Sequence, residues 1–107
     1  MVLLTRQEEQ ILLVIHHLGN TAYLVNIRSL LKEITGKYLD VGTIYVPLKR
    51  LHQKGCLDTR YGEPTAMRGG KAIKYYSLTA KGYEALAETR RIQEKLWDGV
   101  RFPALKF

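Results

Sequence analysis

The side chains best placed to do chemistry lie between positions 42 and 79, and the chemistry they suit is the binding of a polyanion. Thr43, Tyr45, Lys49 and Arg50 fall within Gly42-Thr43-Ile44-Tyr45-Val46-Pro47-Leu48-Lys49-Arg50-Leu51, where Ile44, Leu48 and Leu51 recur at i, i+4 and i+7. That spacing predicts a short helix with one apolar face and one face of hydroxyls and cations. Tyr45 and Lys49 are one turn apart and share a face. Thr43 comes early in the helix, where free backbone amides already favour an anion. Further on, Arg68, Lys71 and Lys74 surround Gly69-Gly70 and run into Tyr75-Tyr76-Ser77-Leu78. This reads as a β-hairpin with a basic tip, whose glycines let its backbone lie close to another. A short helix beside a basic hairpin suits a nucleic-acid duplex, the helix in a groove and the hairpin on the phosphates.

Bond-making chemistry has no comparable constellation. His16, His17, His52 and Cys56 are the candidate metal ligands. His52 and Cys56 are four apart, but Gly55 is expected to end the helix between them, and no Cys-x-x-Cys or carboxylate cluster joins them. No metal is expected, and Cys56 reads as a small buried hydrophobe. No nucleophile–base–orienter set is visible, and no glycine-rich loop follows a strand and opens a helix, so neither an enzyme nor a cofactor is expected.

Charge agrees with the polyanion reading. The 107-residue chain has a formal net charge of +7. Positions 37–76 hold eight cations against three acids, a net +5, whereas the remainder nets +2. The excess is therefore expected on the helix and the hairpin. One cysteine excludes an intrachain disulfide. The N-terminal residues lack the features of a signal peptide, and the longest apolar run, positions 11–15, is too short to span a bilayer. The expectation is a soluble cytoplasmic protein without membrane association, nucleoid-associated when bound to DNA.

The elements that must position these residues follow from caps and periodicity. Thr5-Arg6-Gln7-Glu8 has capping-box spacing, and Ile11, Val14, Ile15 and Leu18 continue as a helical stripe to Gly19. Leu12 and His16 lie beside that stripe, on a face expected to meet a partner. A second helix is predicted over 22–34, with Tyr23, Ile27, Leu30 or Leu31, and Ile34 buried and Gly36 as its cap. A third is predicted over 41–54, capped by Asp40 and closed by Gly55. Pro47 argues for a start near Thr43 or Ile44, or for a bent first turn, because an interior proline costs ~3 kcal/mol. Strands are predicted at 57–61 and 73–78, with Tyr76 and Leu78 inward. Thr79 caps a last helix over 80–98, longer than the body of so small a domain requires. Gly99 stops it before a short tail.

In this order the motifs resemble the PadR family of bacterial transcriptional regulators. The matching pieces are Ala22-Tyr23, Gly42-Thr43-Ile44-Tyr45, Leu48-x-Arg50-Leu51 with Gly55, and Tyr75-Tyr76-x-Leu78-Thr79-x-x-Gly82. Gly62-Glu63-Pro64-Thr65-x-x-Arg68-Gly69-Gly70-Lys71 resembles the wing of one branch of that family. One departure stands out: Val46 occupies the position directly after the tyrosine, where the family usually has proline. The resemblance implies an α+β fold, a winged helix-turn-helix of three helices and a two-stranded wing over residues 1–79. It also implies a dimerisation helix over 80–98 and a tail over 99–107. It further implies a homodimeric repressor on a pseudo-palindromic double-stranded DNA operator. Thr43, Tyr45, Lys49, Arg50, Arg68, Lys71 and Lys74 are then the DNA-binding candidates, and Leu12, Leu86, Ile92, Leu96 and Trp97 the dimerisation candidates. Trp97 is also the candidate site for a small aromatic effector, two indoles of a dimer sandwiching a planar ligand. The competing expectation is a winged-helix protein-docking module or a non-specific chromosome-coating protein.

Overall fold

A computed structural model of the chain describes residues 3–62 and 72–103. The elements run α1 Arg6–Leu18, α2 Leu24–Thr35, α3 Val41–Gln53, β1 Leu57–Tyr61, β2 Lys74–Leu78 and α4 Ala80–Trp97, with a 3-10 turn, Gly19–Thr21, after α1. β1 and β2 pair antiparallel in a two-stranded sheet. This is the α+β winged helix with a long last helix. Among the described residues no helix is long and apolar enough to cross a membrane.

Local chemistry sets most of the boundaries. Thr5 and Glu8 form the reciprocal capping box: the Glu8 amide donates to Thr5 Oγ1 at 3.1 Å and the Thr5 amide to Glu8 Oε1 at 2.8 Å. Asp40 accepts from the Thr43 amide at 2.7 Å and opens α3. Thr79 does the same for α4 through the Gly82 amide at 3.1 Å. Gly82 must be glycine, because a Cβ there would lie 2.4 Å from the Cys56 carbonyl oxygen. The Thr79 amide also donates to that carbonyl, at 3.1 Å, and so seats α4 on the turn after α3.

The core is built on α1, which packs against α2, α3, β2 and α4. Ile11, Leu12, Val14 and Ile15 meet Ile27 and Leu31 of α2, Ile44, Leu48 and Leu51 of α3, and then Cys56, Leu57, Tyr76 and Ala85. Leu12 is thus corrected from a partner-facing residue to a fully buried one, because neighbours on several sides widen the buried stripe of α1. His16, expected on the same face, joins its Nδ1 to the Tyr83 hydroxyl of α4 at 3.0 Å.

Three further expectations are revised. α2 begins two residues late, because Ala22 and Tyr23 are extended. The Ala22 carbonyl accepts from the Tyr76 amide at 2.9 Å and Tyr23 bridges Tyr75, so this dipeptide lies extended at the sheet edge, with Tyr23 the N-cap of α2 and outside its first turn. Ile34 is 62% exposed, and Leu31 carries the buried stripe at the end of α2. α3 begins at Val41, well before Pro47, which sits inside the helix. The proline ring is buried with Ile44, Leu48 and Leu51, and packing on that face offsets its local cost.

Candidate nucleic-acid interface

With Ile44, Pro47, Leu48 and Leu51 turned to the core, the opposite face of α3 is fixed outward. Thr43, Tyr45, Lys49 and Arg50 are all exposed there. Tyr45 and Lys49 share a side, one turn apart. The turn leading into the helix is held by Arg28, whose Nε donates to the Leu39 carbonyl at 2.8 Å and whose guanidinium lies 5.0 Å over the Tyr38 ring. Nothing in the sequence marks Arg28 for this role, since its partners are about ten residues away in a loop.

The wing meets α3 along one sheet face. Its register pairs Leu57 with Leu78, Thr59 with Tyr76 and Tyr61 with Lys74. Alternation places all six on the side that carries the buried Leu57 and Tyr76. Lys74 therefore joins Tyr45 in one shallow groove, together with Tyr23, Val25, Ile73 and Tyr76. The Lys74 ammonium stands 5.6 Å over the Tyr76 ring. Burial, with the phenols of Tyr45 and Tyr61 nearby, raises the Tyr76 hydroxyl above its ordinary pKa, so it presents a neutral hydroxyl. Tyr61, at the far end of this face, is 68% exposed. Strand parity could have singled it out, because it falls in step with Leu57 and Thr59. Arg68 and Lys71 lie outside the described residues.

Two further cations of the basic stretch, Lys54 and Arg60, serve the fold. Lys54 Nζ donates to Glu8 Oε2 at 3.0 Å, to Glu8 Oε1 at 3.1 Å and to the Leu3 carbonyl at 3.3 Å. Burial by itself would raise the Glu8 pKa. The Thr5 amide and the Lys54 ammonium outweigh it and hold the carboxylate below its usual range. Arg50 stands at the edge of this corner, 3.9 Å from Glu8 and half exposed, so it faces both the domain and solvent. Arg60 stacks 4.5 Å over Tyr75 and donates to the Asn20 carbonyl. The positive surface of α3 is therefore smaller than the charge count suggests, and centres on Lys49.

α4 departs from the body after its first turns. Gly82 and Ala85 are buried and Leu86 packs against the core. Ile92 is half-buried, Leu96 is 70% exposed and Trp97 56% exposed, with Phe102 folded to 5.8 Å from the indole.

The profile of the PadR-like transcriptional regulator family matches residues 11–88. Among solved structures, a PadR-like transcription factor from Bacteroides fragilis is 32% identical. The alignment covers 84% of this chain and 82% of that one, with a TM-score of 0.71. A PadR family regulator from Eggerthella lenta is 26% identical over 88% of this chain and 80% of that one, with a TM-score of 0.70. A transcriptional regulator from Clostridium thermocellum shares the fold at 22% identity and a TM-score of 0.67, over 88% of this chain and 92% of that one. No curated protein matches significantly. With the profile spanning most of the chain, the protein belongs to the PadR-like family of transcriptional regulators.

Proposed function

We propose that this regulator is a homodimer that binds a pseudo-palindromic operator and represses transcription from it. The observation that carries the reading is the outward face of α3, where Thr43, Tyr45 and Lys49 stand clear of the core and Tyr45 lines one groove with Lys74 of the wing. Such a helix fits the major groove, with Lys49 on phosphate or base edge, Arg50 at its margin and Lys74 on the backbone. Arg68 and Lys71, outside the described residues, are further candidates for phosphate contact by their charge and by their place in the sequence. The dimer forms through α4, where Ile92, Leu96 and Trp97, with Leu86 at the root, leave more apolar surface than a solvated helix end carries. Twofold symmetry then sets two recognition helices about 34–36 Å apart, one per half-site. Trp97 and its copy would offer two flat faces and an indole N–H to a planar aromatic effector. Such a ligand releases DNA only by binding the DNA-incompatible dimer more tightly than the operator-bound one. The protein resides in the cytoplasm, on the nucleoid when bound.

The test is protection mapping on DNA upstream of the protein's own coding region, with light scattering for oligomeric state. Two protected half-sites one helical turn apart and a dimer at micromolar concentration are expected. A uniform footprint on any sequence would favour chromosome coating, and absence of DNA binding would favour a protein-docking module. A stable monomer would remove α4 as a dimerisation element.

A further inference from the structure

Two residues on the outward face of α3 have no explanation within the chain. Gly42 lies inside the helix without a positive φ, and a Cβ built on it would meet only Asp40 Oδ1, at an ordinary 3.6 Å. Alanine would fit the fold and favour the helix. One turn later Val46, a branched apolar side chain, is 53% exposed although the helix has a complete apolar stripe on its other side. Gly42, Val46, Lys49 and Gln53 succeed one another at i, i+4, i+7 and i+11, and all four are exposed. They form the midline of the outward face, with Tyr45 on one flank and Arg50 on the other.

We propose that Gly42 and Val46 make the base-reading part of the interface, and that Val46 selects a thymine. The proposal rests on the DNA-binding reading above. The N-terminal residues of a recognition helix are the ones that reach base edges. At Gly42 the backbone meets the bases with no side chain between, which accounts for a glycine that packing does not require. At Val46 the exposed methyls find the one apolar group on the floor of the major groove, the C5-methyl of thymine. Lys49, next along the stripe, supplies the charge that draws the face to a polyanion, so the valine adds selectivity and little affinity of its own. A non-specific phosphate binder would gain nothing from an exposed valine between its cations.

The experiment uses the full chain and a pool of random duplex DNA, from which bound sequences are selected. Each thymine of the selected half-site is then replaced by uracil, which lacks only the methyl. One position is expected at which the replacement weakens wild-type binding by about three- to fivefold, the value of one buried methyl. Val46→Ala should bind thymine and uracil alike at that position. Gly42→Ala should melt at the same or a higher temperature than wild type while binding the selected DNA about tenfold more weakly, as for one mismatched base pair. Silent uracil at every position, equal uracil sensitivity in Val46→Ala, or full affinity in Gly42→Ala would each overturn the proposal and leave the regulator reading standing. DNA binding with no sequence enriched would overturn both.

Discussion

The two ends of α3 carry similar residues and use them differently. At the C-terminal end, Lys54 and in part Arg50 converge on Glu8, a carboxylate with no exposed surface, and join α1 to α3. Toward the N-terminal end, Asp40 caps the helix from solvent, and Gly42, Thr43, Tyr45, Val46 and Lys49 face outward with no acidic partner among the ion pairs of the described residues. One end is spent on holding the helix in place and the other on what the helix can touch. The difference is set by burial: a carboxylate removed from water must be matched by donors, whereas an exposed lysine keeps its hydration until a partner arrives.

The comparison breaks most severely at Glu8. Glu8→Ala removes the carboxylate that accepts from the Thr5 amide and the Lys54 ammonium, leaving the lysine only the Leu3 carbonyl, and opens a void beside α1. A loss of about 3 kcal/mol is expected, the range for a broken buried ion pair reduced for the partly exposed lysine. Chemical denaturation should register it as a lower midpoint with an unchanged slope. A variant as stable as wild type would show that the corner is incidental. Glu8→Gln should recover part of the loss, since the amide oxygen still accepts from Thr5.

Lysine against lysine is the sharper pair. Lys54→Ala should cost about 1.5–3 kcal/mol of stability, as for a hydrogen bond to a charged group. Its effect on DNA affinity should follow only from the fraction unfolded. Lys49→Ala should leave the melting temperature within error and weaken DNA binding. The slope of log affinity against log salt should flatten by roughly 0.9 for each phosphate that the lysine no longer neutralises, so about 1.8 in a dimer. The comparison fails if both variants change the salt slope equally.

How much of this the sequence disclosed depended on the range of the interaction. The caps at Thr5, Asp40 and Thr79 were legible because each closes within three residues. So was the inward side of β2, where Tyr76 and Leu78 alternate with the residues of the other face. Packing between distant segments was not legible. Ala22-Tyr23 looks like a helix start until Tyr75 and Tyr76 arrive beside it. Leu12 lies off the predicted stripe of α1, and only a helix with neighbours on several sides buries it. Pro47 obeys a sound local rule that core packing overrides. In the candidate interface, exposed Lys49 and Tyr45 followed from helical phase, but the removal of Lys54 and Arg60 from the free charge did not. Their partners, Glu8, Asn20 and Tyr75, are far away in the chain or across the sheet. Val46 was readable from the same helical phase, yet an apolar residue in a basic motif draws attention to the core and away from the groove.

The smallest expected effect is on pH dependence, and it again sets one end of α3 against the other. Both acids have pKa values below their ordinary ones: Glu8 despite burial, through Thr5 and Lys54, and Asp40 chiefly through the Thr43 amide. A carboxylate whose folded pKa is depressed binds its proton more readily in the unfolded chain. Its stabilisation is therefore complete above the unfolded value, near 4.5 for Glu8 and 3.8 for Asp40. It is lost as pH falls from there through the folded value. The protein should thus be insensitive to pH between about 6 and 8 on account of these groups, and should weaken in acid. Glu8→Gln should remove the larger part of the acid dependence, because its carboxylate lies in a buried network. Asp40→Asn should remove only a small part and leave stability at neutral pH nearly intact, since asparagine caps a helix about as well as aspartate. Denaturation midpoints measured from about pH 3 to pH 7 for the three proteins decide the matter. If Asp40→Asn flattens the acid limb more than Glu8→Gln does, the exposed N-terminal end holds the fold more firmly than the buried corner, and the division of labour along α3 is reversed.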